Sequence, residues 1–304
     1  MKNTFRFTSI SEFHNYGNLP KPEHPLISLV DYSKVSYPTD TNEIKWIQEF
    51  YSIGLKRNVN QKFNYGQQKY DFDEGVLSFV APNQVLKIEI NQNIQAKASG
   101  WLLLIHPDFL WNTQLAKVIK KYDFFGYAVN EALFLSEKEE QNLEQLLKNI
   151  QQEYQSNIDE FSESIIISQI ELFLNFAQRY YERQFITRKV NNHQILIKLE
   201  ERLNYYFSNQ DSLYSGIPTV TQIAADLNLS PNYLSNLLKV VSGQNTQQHI
   251  QNKLIEKAKE KLSTTNLSVS EIAFELGFEY PASFSKLFKN KTQLSPIEFR
   301  KSYN

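Results

Sequence analysis

Up to about Trp111 the apolar positions come in short runs. Residues 26–31, 46–55, 75–80 and 100–105 are rich in β-branched and aromatic side chains, and Pro, Gly, Asn and Asp bound them. Each run predicts a strand, and several in succession with turn signals between them predict a small sandwich or barrel. From Ser136 the period lengthens. Ser136-Glu-Lys-Glu has the Ser-x-x-Glu form of a capping box, and Leu143, Leu146, Leu147, Ile150 and Tyr154 recur behind it at three and four, predicting an amphipathic helix. A second helix is predicted over about 159–183, with Ile166, Ile170, Phe173, Leu174 and Ala177 as its apolar stripe. The polar, charged stretch 184–193 reads as a linker. Behind it, residues 194–207 open an all-helical part, with Leu196, Leu199 and Leu203 on one side.

That last part contains an internal repeat. Thr219-Val-Thr-Gln-Ile-Ala-Ala-Asp-Leu-Asn-Leu and Ser268-Val-Ser-Glu-Ile-Ala-Phe-Glu-Leu-Gly-Phe superpose at a shift of 49, and Leu234-Ser-Asn-Leu-Leu-Lys and Phe284-Ser-Lys-Leu-Phe-Lys at a shift of 50. Each copy reads as a helix, a tight turn and a second helix. Thr219 with Gln222, and Ser268 with Glu271, form capping boxes. Ile223, Ala224 and Leu227, matched by Ile272, Ala273 and Leu276, make an apolar face whose small Ala lets another helix cross closely. Asn228 and Gly277 follow, where a left-handed residue ends the first helix. Pro231 and Pro281 then stand at the start of the second, where a missing amide costs little. Leu234, Leu237 and Leu238 point inward in one copy, Phe284, Leu287 and Phe288 in the other. Asn232, Ser235, Asn236 and Lys239 are left facing out, as are Ala282, Ser283, Ser285, Lys286 and Lys289. Short hydrogen-bonding side chains beside lysines suit a helix lying in a major groove about 12 Å wide. Residues 246–262 read as one helix between the copies. At 1.5 Å per residue it spans roughly 25 Å, enough to hold two such helices near the ~34 Å repeat of successive major grooves.

Charge agrees once it is divided along the chain. The net charge is −1, but residues 191–304 hold 12 Lys+Arg against 10 Asp+Glu, and from Lys239 onward ten basic residues face six acidic ones. The excess gathers in Lys253, Lys257, Lys259 and Lys261 and in Lys286, Lys289 and Lys291, a modest basic tilt. The chain has no cysteine, which excludes disulfides, thiolate metal sites and cysteine nucleophiles. No phosphate-binding glycine loop is visible, and the five histidines, His14, His24, His106, His193 and His249, include no His-x-His pair. An enzyme, a metal site and a bound cofactor are therefore not expected. With no membrane-length apolar run and no apolar segment behind the first residues, the expectation is a cytoplasmic protein without a membrane partner.

Over roughly residues 195–304 the sequence resembles the AraC/XylS transcriptional regulators. Ile272-Ala-Phe-Glu-Leu-Gly-Phe, Phe284-Ser-Lys-Leu-Phe-Lys and Ser295-Pro-Ile-Glu-Phe-Arg300 are close to that family's signature. Two departures stand out: Lys286 where the family usually has Arg, and Gln293 where it usually has Gly. The first weakens the case for bidentate reading of guanine, because an ammonium lacks the planar fork of a guanidinium. The resemblance implies that both second helices face operator DNA. Asn232, Ser235, Asn236, Ala282, Ser283, Ser285 and Lys286 would lie at base edges, and Lys239 and Lys289 at phosphates.

It also implies an α+β chain. A cupin-like β-barrel with flanking helices, residues 1–183, would bind an effector or dimerise. Residues 184–193 would link it to an all-α DNA-binding domain, 194–304, of two helix-turn-helix units joined by a long helix. Tyr51, Trp101 and His106 are the candidate effector-pocket residues, although aromatics in a small barrel are more often core and His106, beside Pro107, reads equally as a cap. The implied protein is a regulator, with activator as the first reading, double-stranded promoter DNA as partner, and a small-molecule effector, a homodimer and RNA polymerase as further partners. The alternatives are a regulator governed by abundance or a protein partner, and a metal-cupin enzyme with a DNA-binding tail.

Overall fold

The computed structural model describes residues 4–35, 43–57, 64–65, 68–69, 75–89, 99–128, 131–156, 159–187, 189–208 and 216–302. The chain forms two compact units, Met1–Gln184 and Phe185–Asn304.

The first unit is built on β-strands. β1 (Thr4–Phe7), β3 (Glu43–Gln48) and β8 (Val85–Glu89) form a three-stranded sheet in the order β1-β3-β8. β2 (Ile27–Asp31), β4 (Tyr51–Arg57), β7 (Val76–Val80), β9 (Ser99–Ile105) and β10 (Leu133–Phe134) form an antiparallel sheet in the order β10-β7-β4-β9-β2. β5 (Asn64–Tyr65) and β6 (Gln68–Lys69) pair as a separate ribbon. Among the described residues the larger sheets are open and do not close into a barrel. What stands of the expected architecture is a sheet domain with helices beside it, followed by an all-helical domain.

The run 46–55, expected as one strand, is two. β3 and β4 belong to different sheets, and the chain crosses between them at residues 49–50. Gln48, only 1% exposed, donates its amide to Phe50 O (3.0 Å) and Ser52 Oγ (2.9 Å) and accepts the Trp46 indole N–H (3.2 Å). A buried amide satisfied on every side holds the corner. Phe50 then joins the apolar core between the sheets, with Phe7, Trp46, Val80, Leu102 and Leu104, and with Ile10 and Phe13 from helix α1 (Ile10–Tyr16).

The opposite face of the five-stranded sheet carries Tyr51 and Phe79 against Phe124, Phe125 and Tyr181. After the short α2 (Gln114–Val118), helix α3 (Glu137–Gln155) begins in the expected capping box. It is tied to the sheet by Arg57, which reaches both Glu140 and Glu144, and by the Tyr154 hydroxyl, which accepts Leu29 N–H at 3.0 Å. Burial opposes the Glu144 carboxylate. Hydrogen bonds from Lys148 and Arg57 outweigh it and hold the carboxyl below its usual range. Helix α4 (Ser162–Thr187) does not stop near 183, because its last turns are anchored. Arg183 bonds Glu139 (2.6 Å) and Phe134 O (2.8 Å), and Gln184 accepts Phe134 N–H (2.8 Å). A new helix begins at Lys189, so most of the stretch read as a linker is helical.

The second unit contains α5 (Lys189–Ser208), α6 (Val220–Asp226), α7 (Pro231–Ser242), α8 (Thr246–Thr264), α9 (Val269–Glu275), α10 (Pro281–Thr292) and α11 (Pro296–Lys301). Nineteen-residue α8, roughly 28 Å long, is its axis. Ile250, Leu254, Ile255, Ala258 and Leu262 are buried along it, with α5 and α7 packed at one part and α9 and α11 at another. Arg300 of α11 donates to the carbonyls of Leu262 (3.2 Å) and Leu267 (2.5 Å), satisfying backbone acceptors at the end of the axis. No helix among the described residues is long and apolar enough to cross a membrane.

Candidate nucleic-acid interface

Local chemistry builds the two helix-turn-helix units alike. Thr219 and Ser268 cap α6 and α9 in reciprocal capping boxes with Gln222 and Glu271. Asn228 (φ +56°) and Gly277 (φ +86°) then turn the chain through the left-handed region. Pro231 and Pro281 open helices of identical length, twelve residues each. Both helices end on a left-handed residue, Gly243 at φ +76° and Gln293 at φ +66°. A further capping box follows each, Asn245 with Gln248 and Ser295 with Glu298, so the repeat runs past the segments first aligned.

Leu234, Leu237, Leu238, Phe284 and Phe288 are buried, and so is Tyr233, whose ring meets Phe185 edge-on at 5.1 Å. Of the residues expected to face out, Asn232, Lys239, Ala282, Ser283, Lys286 and Lys289 are exposed. Asn236 and Ser285 are half-buried. Ser235 is also half-buried and turns partly inward, its hydroxyl 3.0 Å from that of Thr246, which is fully buried at the start of α8. The same helix face that carries Asn232 thus brings Ser235 within reach of α8.

The lysines divide into two groups. On α8, Lys253 pairs with Glu256 (2.8 Å) and Lys257 with Glu260 (2.8 Å), Lys261 reaches Glu275 of α9 (2.6 Å), and Lys259 lies over the Phe299 ring at 5.8 Å. That part of the basic excess is engaged within the protein. Among the described residues Lys239, Lys286 and Lys289 are exposed and form no ion pair, so α7 and α10 present free cations to a polyanion, as do Lys198 of α5 and Lys301 of α11. A polar chain also joins the two units across the axis. Lys291 of α10 donates to Asn252 of α8 (3.3 Å), and Asn252 donates to Gln244 (2.8 Å) just beyond α7.

Of the three residues considered for an effector pocket in the first unit, Trp101 stands apart from Tyr51 and His106. Tyr51 pairs with Ile105, the residue before His106, and Trp101 with Leu55, about four residues or roughly 13 Å further along the β4–β9 ladder. Tyr51 is buried against Phe125, which pushes its hydroxyl pKa up. The Trp101 indole donates to Glu144 of α3 (3.3 Å). His106 caps the turn after β9, with Nδ1 accepting Asp108 N–H at 3.3 Å. No group of His, Asp or Glu among the described residues is arranged to hold a metal ion.

Compared with known proteins, residues 223–302 match the helix-turn-helix domain family. The chain is 31% identical over 147 residues to the uncharacterized HTH-type transcriptional regulator YfiF of Bacillus subtilis (strain 168), covering 48% of this chain and 43% of that protein. It is 36% identical over 108 residues to the raffinose operon transcriptional regulatory protein RafR of Pediococcus pentosaceus, covering 36% and 39%. It is 33% identical over 81 residues to the arabinose operon regulatory protein of Escherichia coli (strain K12), covering 27% and 28%. The chain thus spans less than half the length of these relatives.

Proposed function

We propose that this chain, whose carboxy-terminal domain belongs to the AraC/XylS family of helix-turn-helix regulators, is a sequence-specific DNA-binding regulator of transcription. One observation carries the reading: α7 and α10 are twelve-residue helices with the same start and the same left-handed stop, built into one domain on a shared axis, and each carries exposed lysines that form no ion pair, Lys239 on one and Lys286 and Lys289 on the other. Asn232, Asn236, Ala282, Ser283, Ser285 and Lys286 serve as base-reading positions, with Ser235 contributing to a lesser extent because it also bonds Thr246. Lys239 and Lys289 neutralise phosphate.

The amino-terminal unit is the regulatory half of this reading. The names of two relatives connect such regulators with sugar operons, which supports a small effector acting on a cupin-like first unit; cytoplasmic location, activation, a homodimer and contact with RNA polymerase belong to the same proposal. The separation of Trp101 from Tyr51 and the engagement of His106 as a cap favour a second reading, in which the regulator has no ligand and responds to its own abundance or to a protein partner.

Selection of duplexes from a randomised pool tests the proposal. The expected product is a motif with two short conserved blocks about one helical turn, roughly 10 base pairs, apart, as two helices in successive major grooves require. Failure to enrich any sequence would reject it.

A further inference from the structure

Comparing the two repeats position by position isolates one place where they part company. Ser230 and Tyr280 both immediately precede the proline that opens the second helix. Ser230 does what an N-cap residue ordinarily does, accepting Tyr233 N–H on its hydroxyl at 3.3 Å. Tyr280 makes no side-chain cap bond, although its backbone is extended as a cap requires (φ −126°, ψ 121°). Tyr280 is 62% exposed, the most exposed large apolar residue among the described residues of the second unit, while the neighbouring Phe278 is buried against Phe284. The second helix therefore forgoes a stabilising cap and carries in its place a large ring directed to solvent, one residue before the exposed pair Ala282 and Ser283 is reached past Pro281. A local rule broken without local gain marks a position used for something else.

On the reading of α10 as a DNA-reading helix, we infer that Tyr280 is a specificity-determining residue of the second unit, its ring packing on the apolar edge of a base step at the mouth of the major groove. The N-terminal residues of a recognition helix are those that reach base edges. The thymine methyl is the apolar group the groove presents, and contact with it selects T at that step without adding charge. The short side chains of Ala282 and Ser283 leave the ring room to approach. The first helix-turn-helix, with Ser230 engaged in its cap, lacks such a contact, so the two half-sites are read unequally.

The full chain and a duplex selected by the parent protein provide the test, with Tyr280→Ser, Tyr280→Phe and Lys289→Ala measured side by side. Tyr280→Ser restores the cap of the first repeat and is expected to raise the melting temperature while lowering affinity for the selected duplex roughly ten-fold, the scale of one lost base contact. Its salt dependence should be unchanged, since no phosphate contact is removed. Tyr280→Phe keeps the ring and should bind within about two-fold of the parent. A Tyr280→Ser chain that binds as tightly as the parent, or that loses melting temperature together with affinity, would overturn the inference. If the parent selects a duplex and Lys289→Ala weakens binding while Tyr280→Ser does not, the inference alone fails; if the parent selects nothing, the regulatory reading fails first.

Discussion

Gly277, in the turn between α9 and α10, lies directly against the backbone of Gly216, at the approach to α6. A Cβ built on Gly277 would stand 2.7 Å from the Gly216 carbonyl carbon and 2.9 Å from Ile217 N, and both glycines have positive φ (+86° and +72°). The turn of the second helix-turn-helix unit thus touches the segment that leads into the first, backbone to backbone. Gly277→Ala is expected to cost about 1–2 kcal/mol for the left-handed backbone and a further ~1–3 kcal/mol for displacing Gly216. Gly243→Ala, whose Cβ would meet open space, carries only the first cost. Denaturant unfolding of the two variants would check the ordering, and equal losses would show that the close approach is not tight.

Gln293 occupies the left-handed stop of α10 at φ +66°, where its counterpart Gly243 is free of a Cβ. Gln293→Gly should stabilise the second unit by about 0.5–1 kcal/mol, the relief of left-handed strain less the extra entropy glycine loses on folding. Thermal unfolding of the pair reads this out directly.

His249 on α8 sits 2.8 Å from the Ser242 hydroxyl at the end of α7. Burial lowers its pKa below the ordinary 6.5, against the opposing pull of Glu200. The folded state therefore binds the proton less readily than the unfolded chain does. Stability is full above pH 6.5 and falls as the pH drops from there through the lowered folded value. His249→Gln should flatten that slope in a pH series of melting temperatures, and an unchanged slope would assign the loss to other groups.

Lys289→Ala should weaken binding to all duplexes alike and reduce the salt slope by about one, whereas Asn236→Ala should alter base preference at one step. Lys286→Arg should sharpen preference for guanine at its step, by about 1–3 kcal/mol if the fork is seated bidentately. Binding-site selection with each variant separates the roles, and identical behaviour of Lys289→Ala and Asn236→Ala would contradict them.

Lys253, Lys257, Lys259 and Lys261 show where reading from sequence stops. Along the chain they belong to the same basic excess as Lys286 and Lys289; Glu256 and Glu260 lie one helical turn beyond Lys253 and Lys257, but only folding sets Glu275 beside Lys261 and the Phe299 ring beside Lys259. Tyr51 and Trp101 looked like partners because both are aromatic and lie on apolar runs. The β4–β9 register, a non-local quantity, puts them four residue pairs apart on one ladder. The split of residues 46–55 was hidden for a similar reason, since the corner depends on where the Gln48 amide finds its acceptors.

The repeat, its capping boxes, its left-handed turns and the proline starts were determined by sequence alone, because each is decided by hydrogen bonds and dihedral preferences spanning three or four residues. Tertiary structure alone decided which lysines remain unpaired, that Ser235 leans on Thr246, and that Gly277 must lack a side chain to meet Gly216. The contacts of Ser235 with Thr246, of Lys261 with Glu275 and of Gly277 with Gly216 join residues 11 to 61 positions apart, and only packing around α8 brings them within reach of one another.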